Sequence, residues 1–166
     1  MELIILIGLQ ASGKSTFYRT RFAETYEHIS KDLLKSSKNK NKNQKQAELI
    51  ERAFLEQRSV IIDNTNVTVQ DRQLLIDIGR RYDATIIGYY FEPDVPGSRT
   101  RNRQREGKAR VPEQAIFITE HKLELPSYAE GFDILYSVCI GKDSSREIPV
   151  RDIEKMLNPG IEAYDG

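Results

Sequence analysis

Gly8-Leu9-Gln10-Ala11-Ser12-Gly13-Lys14-Ser15 stands between an uninterrupted apolar run, residues 3–7, and a helical pattern that begins at Lys14. The segment fits G-x-x-x-x-G-K-[ST] at every fixed position, and a strand before it with a helix after it is the setting in which that pattern cradles phosphate. The glycines let the backbone curl so that successive N–H groups point inward, with a helix N-terminus behind them. In such a loop Lys14 reaches the β- and γ-phosphates and Ser15 holds Mg²⁺. Gly8, Gln10, Ala11, Ser12, Gly13 and Thr16 complete the expected nucleotide cradle. ATP with Mg²⁺ is the ligand pair this chemistry asks for.

The rest of the chain alternates strand-length apolar runs with helical stripes. The patterning predicts strands at 3–7, 26–29, 60–62, 85–91 and 132–138. It predicts helices at 14–23, 44–57, 68–82, from 96 to a break at Gly107, and 112–123. Thr68 with Asp71 three residues on is a capping-box signal, and Pro112 suits a first helical turn. Strands alternating with helices mean βαβ crossovers, hence an α/β fold with a mostly parallel, five-stranded sheet flanked by helices. The 166 residues fit one domain, expected over 1–142, followed by a tail at 143–166. Within the tail, 141–147 reads as a linker, 149–157 as a short helix and 158–166 as a loose end. The Lys/Asn/Gln-rich stretch 38–46 reads as a mobile loop or a fraying helix start.

Composition removes several classes of function. No apolar run approaches the roughly 18 residues of a membrane helix, and Glu2 before a short apolar stretch does not make a secretory signal. One cysteine cannot form an internal disulfide, and two histidines beside it make no structural zinc site. The expectation is a cytoplasmic protein without membrane or zinc. Cys139 is expected in the core of the last strand, and His28 and His121 as ordinary, partly buried residues. Of the pair Tyr89-Tyr90, one is expected to pack and the other to face outward. The net charge is zero, yet 31–45 carries six lysines against Asp32, and 99–110 carries six basic residues against Glu106. Two basic segments on an acidic body suit an anionic ligand held where they meet; two solvated surfaces are the plainer reading.

Phosphate binding leaves open a phosphotransferase, a nucleotide switch and a non-catalytic module. The guanine-reading N-K-x-D signature is missing, because the Asn-Lys pairs at 39–40 and 41–42 lack the aspartate. A kinase needs a base near the acceptor hydroxyl and positive charge on the moving group. Asp32 lies just past the second strand, at the sheet edge where ligands bind; it serves either as that base or as the cap of a short helix at 31–35. Asp63, at the end of the third strand, either supports the metal through water or simply turns the chain. Arg99, Arg101, Arg103 and Arg105 fall at every second residue. On a helix no more than two of them face one phosphate. Such arginines belong to a lid closing over ATP or to a solvated helix.

Taken together, these segments resemble the kinase domain of polynucleotide 5′-hydroxyl kinases. The likeness runs from about Leu3 to Val138 through five segments. They are the loop continuing as Gly13-Lys14-Ser15-Thr16-Phe17, then His28-Ile29-Ser30-Lys31-Asp32, Ile62-Asp63-Asn64-Thr65-Asn66, the arginines from Arg99 to Glu106, and Pro126 with Ala129-Glu130-Gly131-Phe132. The resemblance implies a P-loop kinase-like sandwich with a helical arginine lid at about 96–112. It implies Asp32 as general base on an acceptor 5′-hydroxyl, and Lys14 with Arg103 or Arg105 stabilising the γ-phosphoryl. It also implies Ser15 on Mg²⁺, Asn64 and Thr65 orienting a lid arginine or the acceptor backbone, and Lys35 near the acceptor's phosphate. Asn and Arg of the family's V-N-R-D are replaced here by Ser30 and Lys31, and Lys31 lacks the bidentate fork. The expected partners are ATP and a nucleic-acid 5′ end. A small-molecule kinase is the alternative, with a toxin-like nucleotide-binding module third. Gly131-Phe132 either lines the base or forms a turn before the last strand.

Overall fold

β1 (Glu2–Ile7) sends its side chains alternately into two cores. Leu3, Ile5 and Ile7 pack with Ile50, Phe54, Leu75 and Ile76 on one face, and Ile4 and Leu6 with Phe17, Ile87 and Phe91 on the other. A strand covered on both sides must be apolar at every position, which is why the period-two pattern is absent there. The computed structural model describes residues 1–35, 41–140 and 150–157. The expectations for a linker and a loose end lie largely or wholly outside these residues, as does the first part of the 38–46 stretch.

The elements after β1 are α1 (Lys14–Arg21), β2 (Glu27–Ile29), α2 (Lys42–Leu55), β3 (Val60–Asp63), α3 (Val69–Arg81), β4 (Thr85–Phe91), α4 (Val95–Arg103), α5 (Glu113–Lys122), β5 (Ile134–Val138), β6 (Val150–Asp152) and α6 (Ile153–Leu157). The sheet order is β2-β3-β1-β4-β5-β6. The first five strands in that row pair in parallel, so their C-terminal ends share one edge. The loops after β1, β2, β3 and β4 therefore meet at that edge, where open α/β sheets bind ligands. Local chemistry sets the helix starts. Asn41 caps α2 by accepting from Gln44 N, so the later part of the Lys/Asn/Gln stretch is the first turn of that helix. Thr68 and Asp71 make the full capping box at α3.

The α/β expectation is borne out, with differences toward the C-terminus. β6 adds a sixth strand, antiparallel to β5, where a helix was expected from 149. Three residues with no apolar alternation carry too little pattern to read as a strand. Asp152 then accepts the Glu154 N–H at 2.9 Å, which starts the helix at Ile153. Ile153 is buried in the larger core. Pro112 is the N-cap of α5 rather than a residue of its first turn. Cys139 is exposed, one residue beyond the end of β5, rather than buried in the core. Both tyrosines of the pair pack: Tyr90 joins the larger core, and Tyr89 stacks on Tyr136 with ring centroids 5.1 Å apart.

Candidate active site

The phosphate loop closes against its neighbours. Gly13 ends the loop at φ 93°, a left-handed conformation suited to glycine, and Ile140 occupies the place where a side chain would project. A Cβ on Gly8 would stand 2.8 Å from Phe91 Cβ, so only glycine lets the loop leave β1 alongside β4. α1 has no side-chain cap, and the first intrahelical bond runs from Phe17 N to Gly13 O. Its first-turn N–H groups are thus open to an anion. Lys14 Nζ folds into the loop, donating to the carbonyls of Gly8 and Leu9 and to Ser12 Oγ. Burial brings the Lys14 pKa down to about 8, although Asp63 and Asp32 oppose that and Arg105 adds to it. Ala11 and Ser12 are buried in the loop, and Thr16 is exposed on α1. Gln10 donates to Thr119 Oγ1 of α5 at 2.8 Å, while its Oε1 is buried without a partner among the described residues.

Behind the loop lies a carboxylate center. Asp63 Oδ2 accepts from Ser15 Oγ at 2.8 Å and pairs with His28 Nε2 at 2.9 Å. The His28 ring stacks on Tyr18 at 4.0 Å. Burial pushes the Asp63 carboxyl up, but the bonds from His28 and Ser15 and the charge of Lys14 win, holding it below its ordinary value. It therefore stays ionised at neutral pH. A hydroxyl and an ionised carboxylate beside a phosphate cradle are hard oxygen donors that fit Mg²⁺, which takes one or two protein ligands and leaves the rest to water and phosphates.

Asp32 stands in the loop after β2, near enough for its charge to act on Lys14. Ser30 is the cap of the short 3-10 turn Lys31–Leu33, and its Oγ accepts the Asp32 N–H at 3.3 Å. With the capping taken by Ser30, the exposed Asp32 carboxylate is left for other work. The loop is pinned from behind: Lys31 N donates to Asn64 Oδ1 at 2.8 Å, and Asn64 Nδ2 donates to Gln46 Oε1 of α2 at 2.7 Å. Thr65 O accepts Gly8 N at 3.0 Å, and Asn66 Nδ2 donates to Leu6 O at 2.7 Å. The segment from Asp63 to Asn66 is therefore one brace between the phosphate loop and the Asp32 loop. Lys35 is exposed just past that loop.

Of the four arginines, Arg99, Arg101 and Arg103 stand on α4 and Arg105 lies two residues past its end. Arg99 and Arg103 both bind Glu113 of α5, with Arg103 Nε 2.6 Å from Oε1 and Arg99 Nη2 2.9 Å from Oε2. Arg101 Nε instead donates to Ala11 O of the phosphate loop at 2.6 Å. Arg105 acts electrostatically on both Lys14 and Arg101. Asn102 ties α4 to the segment before α5, its amide bonding Val111 N and O. A cavity of about 260 Å³ opens between Ser12, the Pro93–Asp94 turn, Arg101 and Cys139-Ile140. Phe132 is not part of it. It is buried in the larger core, and Gly131 (φ 115°) ends a 3-10 turn, so the turn reading of that pair holds.

A family of AAA domains matches residues 3–125. The chain belongs to that family. The bifunctional polynucleotide phosphatase/kinase of Schizosaccharomyces pombe is 32% identical over 135 residues, which cover 79% of this chain and 32% of that protein. The chain thus spans about a third of that relative's length, and the resemblance carried by the five segments is borne out. A fungal RNA kinase superposes with a TM-score of 0.68 at 17% identity, over 88% of this chain and 78% of that one. A gluconokinase from Sinorhizobium meliloti 1021 superposes with a TM-score of 0.62 at 16% identity, over 86% and 84%. At these identities the two structures establish the fold, that of P-loop kinases.

Several residues of the site escaped the sequence reading. His28 was expected to be ordinary yet orients Asp63, and Gln46 steadies Asn64 from another helix. Arg101 touches the phosphate loop, and Glu113 holds two lid arginines. Only Arg101 had a readable signal, its place among the four alternating arginines, which the sequence named without giving it a role.

Proposed function

We propose that this domain transfers the γ-phosphoryl group of ATP to the 5′-hydroxyl of a nucleic acid. The observation that carries this reading is the brace from Asp63 to Asn66. It ties the Asp32 loop through Asn64 and the phosphate loop through Thr65, fixing an open carboxylate across from Lys14. The relative that is a polynucleotide phosphatase/kinase supplies the acceptor class.

Lys14 exchanges its carbonyl partners for the β- and γ-phosphates, and the open first turn of α1 donates to the same oxygens. Bound Mg²⁺, held by Ser15 and through water by Asp63, would neutralise charge on the phosphates. Asp32 takes the proton of the 5′-hydroxyl as its oxygen bonds to phosphorus and the bond to the ADP oxygen breaks. Arg105 supplies positive charge opposite Lys14, and Arg103 joins it once released from Glu113. Asn64 and Thr65 keep the base and the loop in register, and Lys35 meets an acceptor phosphate. The base of ATP occupies the cavity between Arg101 and Ile140. The domain works in the cytoplasm, where ATP and Mg²⁺ are held.

The test is transfer of labelled γ-phosphate to 5′-hydroxyl oligonucleotides of DNA and RNA, with 5′-phosphorylated versions and a metabolite extract alongside. Label on the 5′-hydroxyl oligonucleotides alone is expected. Label only in the extract would replace the reading with a small-molecule kinase, and nucleotide binding without any transfer would replace it with a non-catalytic module.

A further inference from the structure

One residue beyond Asp32 a second groove begins, of about 450 Å³, within the roughly 300–1,000 Å³ of ligand sites. Leu33, Leu34 and Lys35 form one wall, and Lys45, Glu48, Leu49 and Arg52 of α2 the other. The α2 residues share a helix face by their spacing of three, four and seven. Leu33 is 70% exposed, which a leucine on a pinned loop has no packing reason to be. Lys45 donates to the Lys35 carbonyl, latching the walls together. The Gln46–Asn64–Lys31 chain fixes the same part of α2 to the Asp32 loop. The groove is thus held in register with the candidate base. Its character is mixed: three leucines in the walls, three cations, and one carboxylate, Glu48.

We propose that this groove holds the nucleotide that follows the 5′-terminal one in a single-stranded acceptor, a proposal that rests on the 5′-kinase reading. The leucines meet the face of an unpaired base, which a stacked duplex would hide. Lys45 and Arg52 meet its backbone phosphate, continuing outward from Lys35. Charge complementarity selects this occupant: an apolar peptide segment leaves the three cations of the walls unused.

The test compares the full chain with an Arg52→Gln variant on a nucleoside 3′-monophosphate and on 5′-hydroxyl oligonucleotides of two, four and eight residues. The wild type is expected to gain about tenfold in kcat/KM between the mononucleotide and the longer acceptors. The variant is expected to phosphorylate the mononucleotide at the wild-type rate, with an unchanged melting temperature, and to lose most of that gain. Its plot of log kcat/KM against log salt on the octamer is expected to flatten by about 0.7, the value of one phosphate contact on a single strand. Transfer to oligonucleotides with the length gain and salt slope intact in the variant overturns the groove assignment alone. Failure of the wild type to label any of these acceptors overturns the kinase reading and the groove with it.

Discussion

Lys14 carries its charge at a cost, because burial strips its ammonium of water and brings its pKa to about 8. The charged form is the one that grips phosphate, so nucleotide binding restores the proton. Well below pH 8 the group is already charged, and ATP binding takes up no proton there. At about pH 8 binding takes up about half a proton, and above it affinity falls by up to about tenfold per pH unit. Calorimetry in buffers of different ionisation enthalpy measures this uptake, and a flat value from roughly pH 6.5 to 9 would contradict the shift. The lysine itself was legible in the sequence, since its motif is local. His28 was not, because its role comes from Asp63, 35 residues away and delivered by the pairing of β2 with β3. We expect His28→Asn to raise the Mg²⁺ concentration needed for half-maximal ATP binding several-fold while leaving the melting temperature nearly unchanged. An unaltered Mg²⁺ dependence removes His28 from the site.

Helical periodicity sorts the lid arginines by element. Arg99 and Arg103, four apart on α4, meet Glu113 of α5, Arg101 meets the phosphate loop, and Arg105, past the helix end, acts by its charge on Lys14. The sequence reading limited any one phosphate to two of the four; on α4 the spacing of four brings Arg99 and Arg103 together on Glu113 and leaves Arg101 to the loop. Which of them would face the loop was not legible, because it depends on how α4 packs on α5. Single arginine fingers supply large rate factors. We therefore expect Arg105→Ala to cut kcat by about 100-fold or more and Arg103→Ala by less than about tenfold. Steady-state kinetics of the two variants decides this, and a larger loss at Arg103 would make Arg103, rather than Arg105, the main cation on the moving group. Glu113 holds both partners, and their bonds keep its carboxyl below its ordinary value.

Across the whole molecule, the family-like segment Ala129-Glu130-Gly131-Phe132 acts at a distance from the chemistry. Glu130 pairs with Arg72 at 2.7 Å, and Arg72, fully buried, donates to the carbonyls of Asn66 and Val67. The last segment of the resemblance thus supports the brace that fixes the Asp32 loop. Glu130→Gln leaves a buried guanidinium without its counter-charge, expected to cost about 3–5 kcal/mol. In a chain of this size that lowers the melting temperature by roughly 10 °C, which differential scanning calorimetry reads directly. A drop of only about a degree would mean Arg72 finds compensation elsewhere. The parallel sheet was legible because apolar runs and helical stripes are local patterns, whereas β6, three residues joined through the antiparallel edge, offered none. The proposed function rests on Asp32, and the decisive measurement is transfer from ATP to a 5′-hydroxyl oligonucleotide by Asp32→Asn, beside its ATP affinity. The account predicts a transfer rate down by at least about 100-fold with ATP binding within about twofold of wild type. Transfer within a few-fold of wild type would show that Asp32 is not the base.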